Sequence, residues 1–293
     1  MTTSFVDVPY FEKYGYLLVK NVFSKEEIAH IREKLAMIKQ KEIAANTIIL
    51  TRGYTDLHPL GDPLSKLELR DKDYVIFDDR VLHIVRQVLG EHIIYFGEST
   101  MHFGQGARGF HKDNPNRSDP KGPDWQGKYN VIRVGLYLQD HSHHSGGLKV
   151  RKKSHFYFSR HRGRAVNIPS EEGDVVLWTL RTSHSGNNVR LKGLPHLCFP
   201  PRIETRIPHF LRIPEEKERM VIFCAFAAPG EHAERFINYG AHRYDYCEHF
   251  RRSRFDEEVI ELAKRKKVEL RRPIPEYGSL YNSNTPREEP VWT

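Results

Sequence analysis

The sequence predicts a mainly β protein, an antiparallel sandwich or jelly roll flanked by helices. Three observations predict it. Short β-rich runs alternate with Gly- and Asp-marked turns from residue 92 to residue 226. Two amphipathic helical patterns precede them, and a third follows at 255–266.

The elements follow in chain order. Residues 15–23 (GYLLVKNVF) are apolar and β-leaning. Ser24 and Glu27 form a capping-box pattern that starts a helix fading near Lys41. Ile28, Ile31, Leu35 and Ile38 lie on one stripe of it. After the apolar run 74–77 (YVIF), residues 78–89 read as a second helix. Val81, Val85, Val88 and Leu89 point inward there, and Gly90 is the stop. The β runs are 92–103, 131–139, 148–151, 165–168, 174–179 and 219–226. About thirty residues between Asn188 and Arg219, rich in proline and basic side chains, read as a lid, a binding loop or a disordered segment. The tail 272–293 carries four prolines and is expected to be extended. No repeat interrupts the chain. We therefore expect one domain over 1–293: a helical part to about 90, a jelly-roll core over 91–228 with an insertion at 189–217, and a helical extension over 229–293.

Hydrophobic residues make up 39% of the 293, enough for a substantial core and too many for a disordered chain. No apolar run reaches membrane-span length, and the N-terminus lacks the basic start and apolar stretch of a signal peptide, so a cytoplasmic protein is expected. Cys198, Cys224 and Cys247 are too scattered for a disulfide framework or a zinc site. The net charge of +8 favours anionic partners. Basic clusters at 160–164, 251–254 and 264–267 are read as solvated surface around an anionic small molecule rather than as a nucleic-acid footprint. Oligomeric state leaves no trace in the sequence.

The chemistry is carried by His111-Lys112-Asp113. On a strand, residues two apart share a face, so an imidazole and a carboxylate can reach one ion. His184 follows the 174–179 strand, where a jelly roll returns beside an early strand. Two histidines and a carboxylate leave open positions suited to ferrous iron, a chelating co-substrate and O2. With 17 histidines in the chain, His-x-Asp alone would be weak evidence. The rival cluster His141-Ser142-His143-His144 reads as a turn between strands. A co-substrate carboxylate needs a cation, best an arginine fork. Arg219, at the head of the last strand, is preferred to Arg190, at the start of the long loop.

Several blocks, in order, resemble the phytanoyl-CoA dioxygenase family. They are residues 11–35, 89–115, 134–140, Gly146-Gly147-Leu148, Ser154-His155, 173–177 and 184–188, and together with the last strand they span roughly 11–227. The resemblance implies a double-stranded β-helix, the cupin-like jelly roll. It also implies Fe(II), with 2-oxoglutarate and O2 as co-substrates. Succinate and CO2 would be released as an unactivated C–H bond is hydroxylated. Carried over, His111, Asp113 and His184 are the iron ligands and Arg219 the 2-oxoglutarate arginine. Two departures stand out: Lys152-Lys153 replaces the usual Pro-Gly turn, and the stretch from His184 to Arg219 is long. Asp113 favours hydroxylation over halogenation, because halogenating relatives carry a small residue there. Desaturation, epoxidation and ring formation remain open.

Lys112, Arg108 and Arg181 are candidate contacts for an anionic substrate. Lys149, Arg151, Lys152 and Lys153 flank a core strand, and Arg190, Lys192, Arg202 and Arg206 lie in the loop. Two other readings stand beside the small-molecule oxygenase. One is a nucleic-acid oxygenase or binder using 251–254 with Tyr239, Tyr244, Tyr246 and Phe250. The other is a jelly-roll binding protein without catalysis.

Overall fold

The computed structural model describes residues 5–45, 58–104, 109–216, 218–242 and 255–271. Its long strands build one sheet. β1 (Tyr16–Val19), β3 (Ile93–Phe103), β4 (Val131–Tyr137), β7 (Val175–Thr179) and β9 (Met220–Ala227) lie in the order β1-β7-β4-β9-β3 and pair antiparallel. β2 (His58–Pro59) pairs antiparallel with the end of β3, and β10 (Val268–Leu270) adds in parallel beside its start. A second sheet is small: β6 (Ala165–Asn167), β5 (Lys149–Arg151) and β8 (His184–Ser185), in the order β6-β5-β8. His111 pairs with His184 at its margin.

The two sheets face each other, because Tyr137, Val176, Trp178 and Val221 of the large one pack with Val150 of the small one. This is the expected jelly roll. Alternation along β4 shows the logic. Ile132, Val134 and Leu136 join the outer core, while Arg133, Gly135 and Tyr137 turn into the barrel.

Helices back the outer face of the large sheet. α1 (Val8–Tyr14), unforeseen in the sequence, leads into β1. α2 (Lys25–Ala44) begins at the capping box, with the Ser24 and Glu27 side chains each bonded to the other's backbone N–H. Ile28, Ile31 and Leu35 are fully buried and Ile38 nearly so, each contributing roughly 1.5–3 kcal/mol. α3 (Asp79–Leu89) starts one residue later than expected, because Asp78 is its N-cap. The apolar run 74–77 is a buried turn. Asp73, Tyr74 and Val75 all adopt positive φ there (47°, 55° and 69°) while Tyr74 to Phe77 are buried. Burial of four apolar side chains overrides local backbone preference.

The described part of the insertion, 189–216, is folded. It contains α4 (Pro201–Glu204), a 3-10 turn at His209–Leu211 and bridges from Leu191 to Leu194 and Arg212. It lies on the outer face of the small sheet, where Glu204 reaches Lys149 and Leu197 accepts from Asn167. Two helices follow the last long strand. α5 (Glu231–Ala241) packs Ala233 and Phe236 against Ile94, Phe96 and Val131, and α6 (Glu257–Arg265) buries Val259, Leu262 and Ala263. Arg108, Cys247, the cluster at 251–254 and the tail 272–293 fall outside the described residues. Among the described residues, no helix is long and apolar enough to cross a membrane.

Candidate metal centre

Two backbone hydrogen bonds bring the distant motifs together. His111 N donates to His184 O at 3.0 Å, and His184 N donates to His111 O at 2.9 Å. Directly opposed residues on antiparallel strands project to one face, and the two imidazoles lie 4.3 Å apart. Asp113 N donates to Leu180 O at 2.9 Å, which keeps the chain extended, so Asp113 points the same way as His111. The loop before His184 is pinned in turn. Thr182 Oγ1 donates to Gly15 O and Ser183 N to Ser154 Oγ.

His111, Asp113 and His184 form a cluster able to hold a metal ion, their ligand atoms all within 4.8 Å of one another. Both tautomers follow from second partners. His111 Nδ1 faces Gly109 O at 2.9 Å and His184 Nδ1 faces Thr182 O at 3.0 Å. A carbonyl oxygen only accepts, so the proton sits on Nδ1 and Nε2 carries the lone pair. His111 Nε2 lies 3.6 Å from Asp113 Oδ1, and His184 Nε2 lies 3.5 Å from Asp113 Oδ2. Burial pushes His184 down to about 4, keeping it neutral and available as a ligand at neutral pH. Burial alone would raise the Asp113 carboxyl. Interaction with His184, Arg133 and His111 outweighs that and holds it well below the usual range.

A second polar cluster lies deeper in the barrel. The Trp178 ring touches His184 (5.2 Å) and Phe223 (5.9 Å), and Phe223 touches Tyr137 (5.9 Å). The Arg219 guanidinium sits over both Tyr137 (5.6 Å) and Phe223 (6.0 Å). Gly135 makes this possible: a Cβ there would come within 3.1 Å of Trp178 and 3.2 Å of Phe223. Arg219 Nη1 donates to Gly104 O at 3.2 Å. Its Nε, the Tyr137 hydroxyl, the Trp178 Nε1 and the His141 Nε2 are all buried without hydrogen-bond partners among the described residues. Orphaned buried polar groups are costly, and a polar ligand would satisfy them.

The phytanoyl-CoA dioxygenase (PhyH) family model matches residues 11–191. The chain belongs to this family. An ectoine dioxygenase from Stutzerimonas stutzeri (strain A1501) is 27% identical over 159 residues, 51% of this chain and 50% of that protein. The chain thus spans about half the length of the curated relative it matches. The fold is shared with AviO1 from Streptomyces viridochromogenes Tue57. The TM-score is 0.52 and the identity 14%, over 76% of this chain and 94% of that one. It is shared too with EctD from S. alaskensis, solved with 2-oxoglutarate and 5-hydroxyectoine. There the TM-score is 0.53 and the identity 16%, over 75% and 74%.

Within this phytanoyl-CoA dioxygenase fold, the other expected site residues take different places. Arg190 is bonded through its guanidinium to the carbonyls of His141, Ser142 and Pro195, so it clamps the loop to the 140–145 turn. Lys112 alternates with His111 and Asp113. Its ammonium is buried against the carbonyls of Ser154 and Arg181, and burial pushes its pKa down to about 7. Arg181 is buried too, donating to Asp124 O at 2.8 Å and lying over Tyr129. Lys149 pairs with Glu204, and Arg151 covers Phe110 and donates to Gly163 O. These cations owe their positions to structural partners.

Three site residues escaped the sequence reading. Arg133 donates to Asp113 Oδ2 at 3.2 Å and pairs closely with Glu98. Their signal was a lone charge inside an apolar strand run, VIRVGLY and IIYFGESTMHF. The sequence places His141 in a turn. The turn exists, built on Asp140, which accepts from Ser142 and His143. Yet the His141 ring is buried against Tyr137, and burial, reinforced by Arg219, pushes it down to about 4.

Proposed function

We propose that this chain is an Fe(II)- and 2-oxoglutarate-dependent dioxygenase that hydroxylates an unactivated C–H bond of a small molecule. The observation that carries it is the meeting of His111, Asp113 and His184 on one face, with Nε2 of both histidines turned to the carboxylate. Two imidazoles and one carboxylate suit ferrous iron and leave positions for co-substrate and O2. Arg219 supports the 2-oxoglutarate assignment. Its buried, unpartnered Nε beside the Tyr137 hydroxyl provides two donors for a carboxylate. Arg190, already bonded to three carbonyls, is the weaker candidate.

Bound iron and 2-oxoglutarate would supply the oxidising power for C–H hydroxylation. The chain's own residues do the rest. Gly109 O and Thr182 O orient the two imidazoles. The Trp178 and Phe223 rings line the space between the metal ligands and Arg219, along which a co-substrate would extend. Such a buried lining strengthens the charge interactions at both ends by excluding water.

The substrate we propose is anionic, on narrower grounds than composition offered. Arg117 lies near enough to Asp113 to depress its pKa and stands over Tyr239. It is half-buried and makes no ion pair among the described residues. Arg117→Ala should raise KM for an anionic substrate and leave kcat largely intact; an equal effect on a neutral analogue would remove this assignment.

The central test is anaerobic visible absorbance. Fe(II), then 2-oxoglutarate, is added to metal-stripped protein. A charge-transfer band that needs both, is lost in Asp113→Ala and needs much more 2-oxoglutarate in Arg219→Ala supports the proposal. Folded protein without a band would move the non-catalytic binding protein to the front.

A further inference from the structure

We propose that Arg133 is a positioning residue that holds Glu98 out of the metal's coordination sphere, keeping the centre at three protein ligands. The inference rests on the iron reading above. Nothing in the family's iron motif involves either residue.

The geometry begins with a distortion in β3. Its pairing with β9 is regular at Tyr95–Phe226 and resumes at Ser99–Cys224. Four steps along β3 therefore cover two along β9. Gly97 lies inside this bulge at φ 78°, a backbone that glycine adopts without strain. Bulges re-aim side chains, and are enriched next to active sites. Here the bulge turns Glu98 into the barrel, where it is 7% exposed.

Glu98 meets Arg133, which projects inward from β4 and is 8% exposed. One guanidinium nitrogen, Nη1, holds Glu98 Oε2. The other, Nη2, holds Asp113 Oδ2 at 3.2 Å. The two carboxylates are thus separated by the width of one guanidinium. One of them belongs to the metal cluster.

A second buried carboxylate so close is a hazard for an open metal site. A divalent cation is the largest local charge in such a site and attracts any carboxylate within reach. Coordination by Glu98 would add a fourth protein ligand and close a position that a chelating co-substrate and O2 require. The planar arginine fork opposes this with charge-assisted bonds to both carboxylates at once. A lysine ammonium, with one nitrogen, would hold the pair less rigidly. The same fork leaves Asp113 only Oδ1 free of Arg133, which favours binding of the metal by one oxygen.

The test uses full-length, metal-stripped wild type, Arg133→Met, Glu98→Gln and the double variant. Each is loaded anaerobically with Fe(II) and titrated with 2-oxoglutarate, following the charge-transfer band. Mn(II) affinity is measured in parallel by electron paramagnetic resonance. We expect Arg133→Met to keep its Mn(II) affinity or gain some, because Glu98 joins the ion. Its 2-oxoglutarate affinity should fall about 10- to 100-fold, as for other residues that orient metal ligands. Adding Glu98→Gln should restore that affinity to within about twofold of Glu98→Gln alone. A merely structural role would move both affinities together and would not be rescued by the second substitution. A normal 2-oxoglutarate titration in Arg133→Met, or a loss that Glu98→Gln fails to restore, overturns the inference. If circular dichroism shows Arg133→Met unfolded, Glu98→Gln is compared with the double variant. Equal affinity supports the guard, and a tenfold deficit in the double variant overturns it. A wild-type protein without a band would overturn the iron reading and this inference with it. A wild-type band with unaltered variants overturns this inference alone.

Discussion

The two sheets of the barrel are backed in opposite ways. The outer face of the large sheet lies under α2, α3 and α6, on a continuous apolar core that includes Ile132, Val134, Leu177 and Ile222. The outer face of the small sheet lies under the 189–217 insertion, whose described residues bury only Val189, Arg190 and Glu204. Its central contact is the Lys149–Glu204 ion pair, at 2.5 Å, with both side chains fully buried. Leu194, Leu197, Ile203, Phe210 and Leu211 of the insertion remain exposed. One sheet is held by area and the other by a few polar latches. The small sheet carries His184 and pairs with His111, so the metal cluster stands on the side held by latches.

That contrast can be broken at the latch. Glu204→Ala removes the carboxylate that faces the buried Lys149 ammonium, and should destabilise the protein by about 3–5 kcal/mol in urea unfolding. Replacing both partners with apolar residues, Lys149→Met with Glu204→Leu, should recover most of that loss, because neither charge is then buried. If Glu204→Ala unfolds like wild type, the latch description is wrong. On the other side, Leu177→Ala should cost about 2–5 kcal/mol, as cavity formation does, and no second polar substitution should restore it.

Acid should also separate the two kinds of support. Burial holds His141 at about 4 and His155 at about 4, below the ordinary value of 6.5. The unfolded chain therefore binds protons that the folded one does not. Stability is full above pH 6.5 and falls as pH drops toward 4. The depression at His141 corresponds to a loss on the order of 3 kcal/mol. Thermal midpoints of metal-free protein should follow this slope. His141→Gln should flatten it, and an unchanged slope would show that His141 is protonated in the fold. The smallest effect expected is Ser24→Ala, about 1 kcal/mol from the lost cap of α2, with the absorbance band unaffected because that helix backs the large sheet.

Much of this architecture was legible in the sequence because it is written in local periodicity. The stripe Ile28, Ile31, Leu35, Ile38 is buried as spaced, and the β runs correspond to strands within two residues at each end. His-x-Asp was legible for the same reason, since alternation alone puts His111 and Asp113 on one face. The apolar run 74–77 announces burial but not backbone conformation. Its residues are buried, but in a turn of positive φ that only surrounding packing sustains.

What the sequence determined by itself was the class of fold, the helices that carry amphipathic stripes, and which side chains share a face along one strand. These depend on neighbours two to four residues apart. Tertiary structure alone decided which cation faces which partner. Lys112, Arg181, Lys149 and Arg190 looked alike as basic residues near the motifs, yet each ends on a different carbonyl or carboxylate. Arg133 and Glu98 meet across β4 and β3, 35 positions apart, through a bulge that no period announces. Charge pairing acts through space over a few ångströms, and only the folded chain sets those distances.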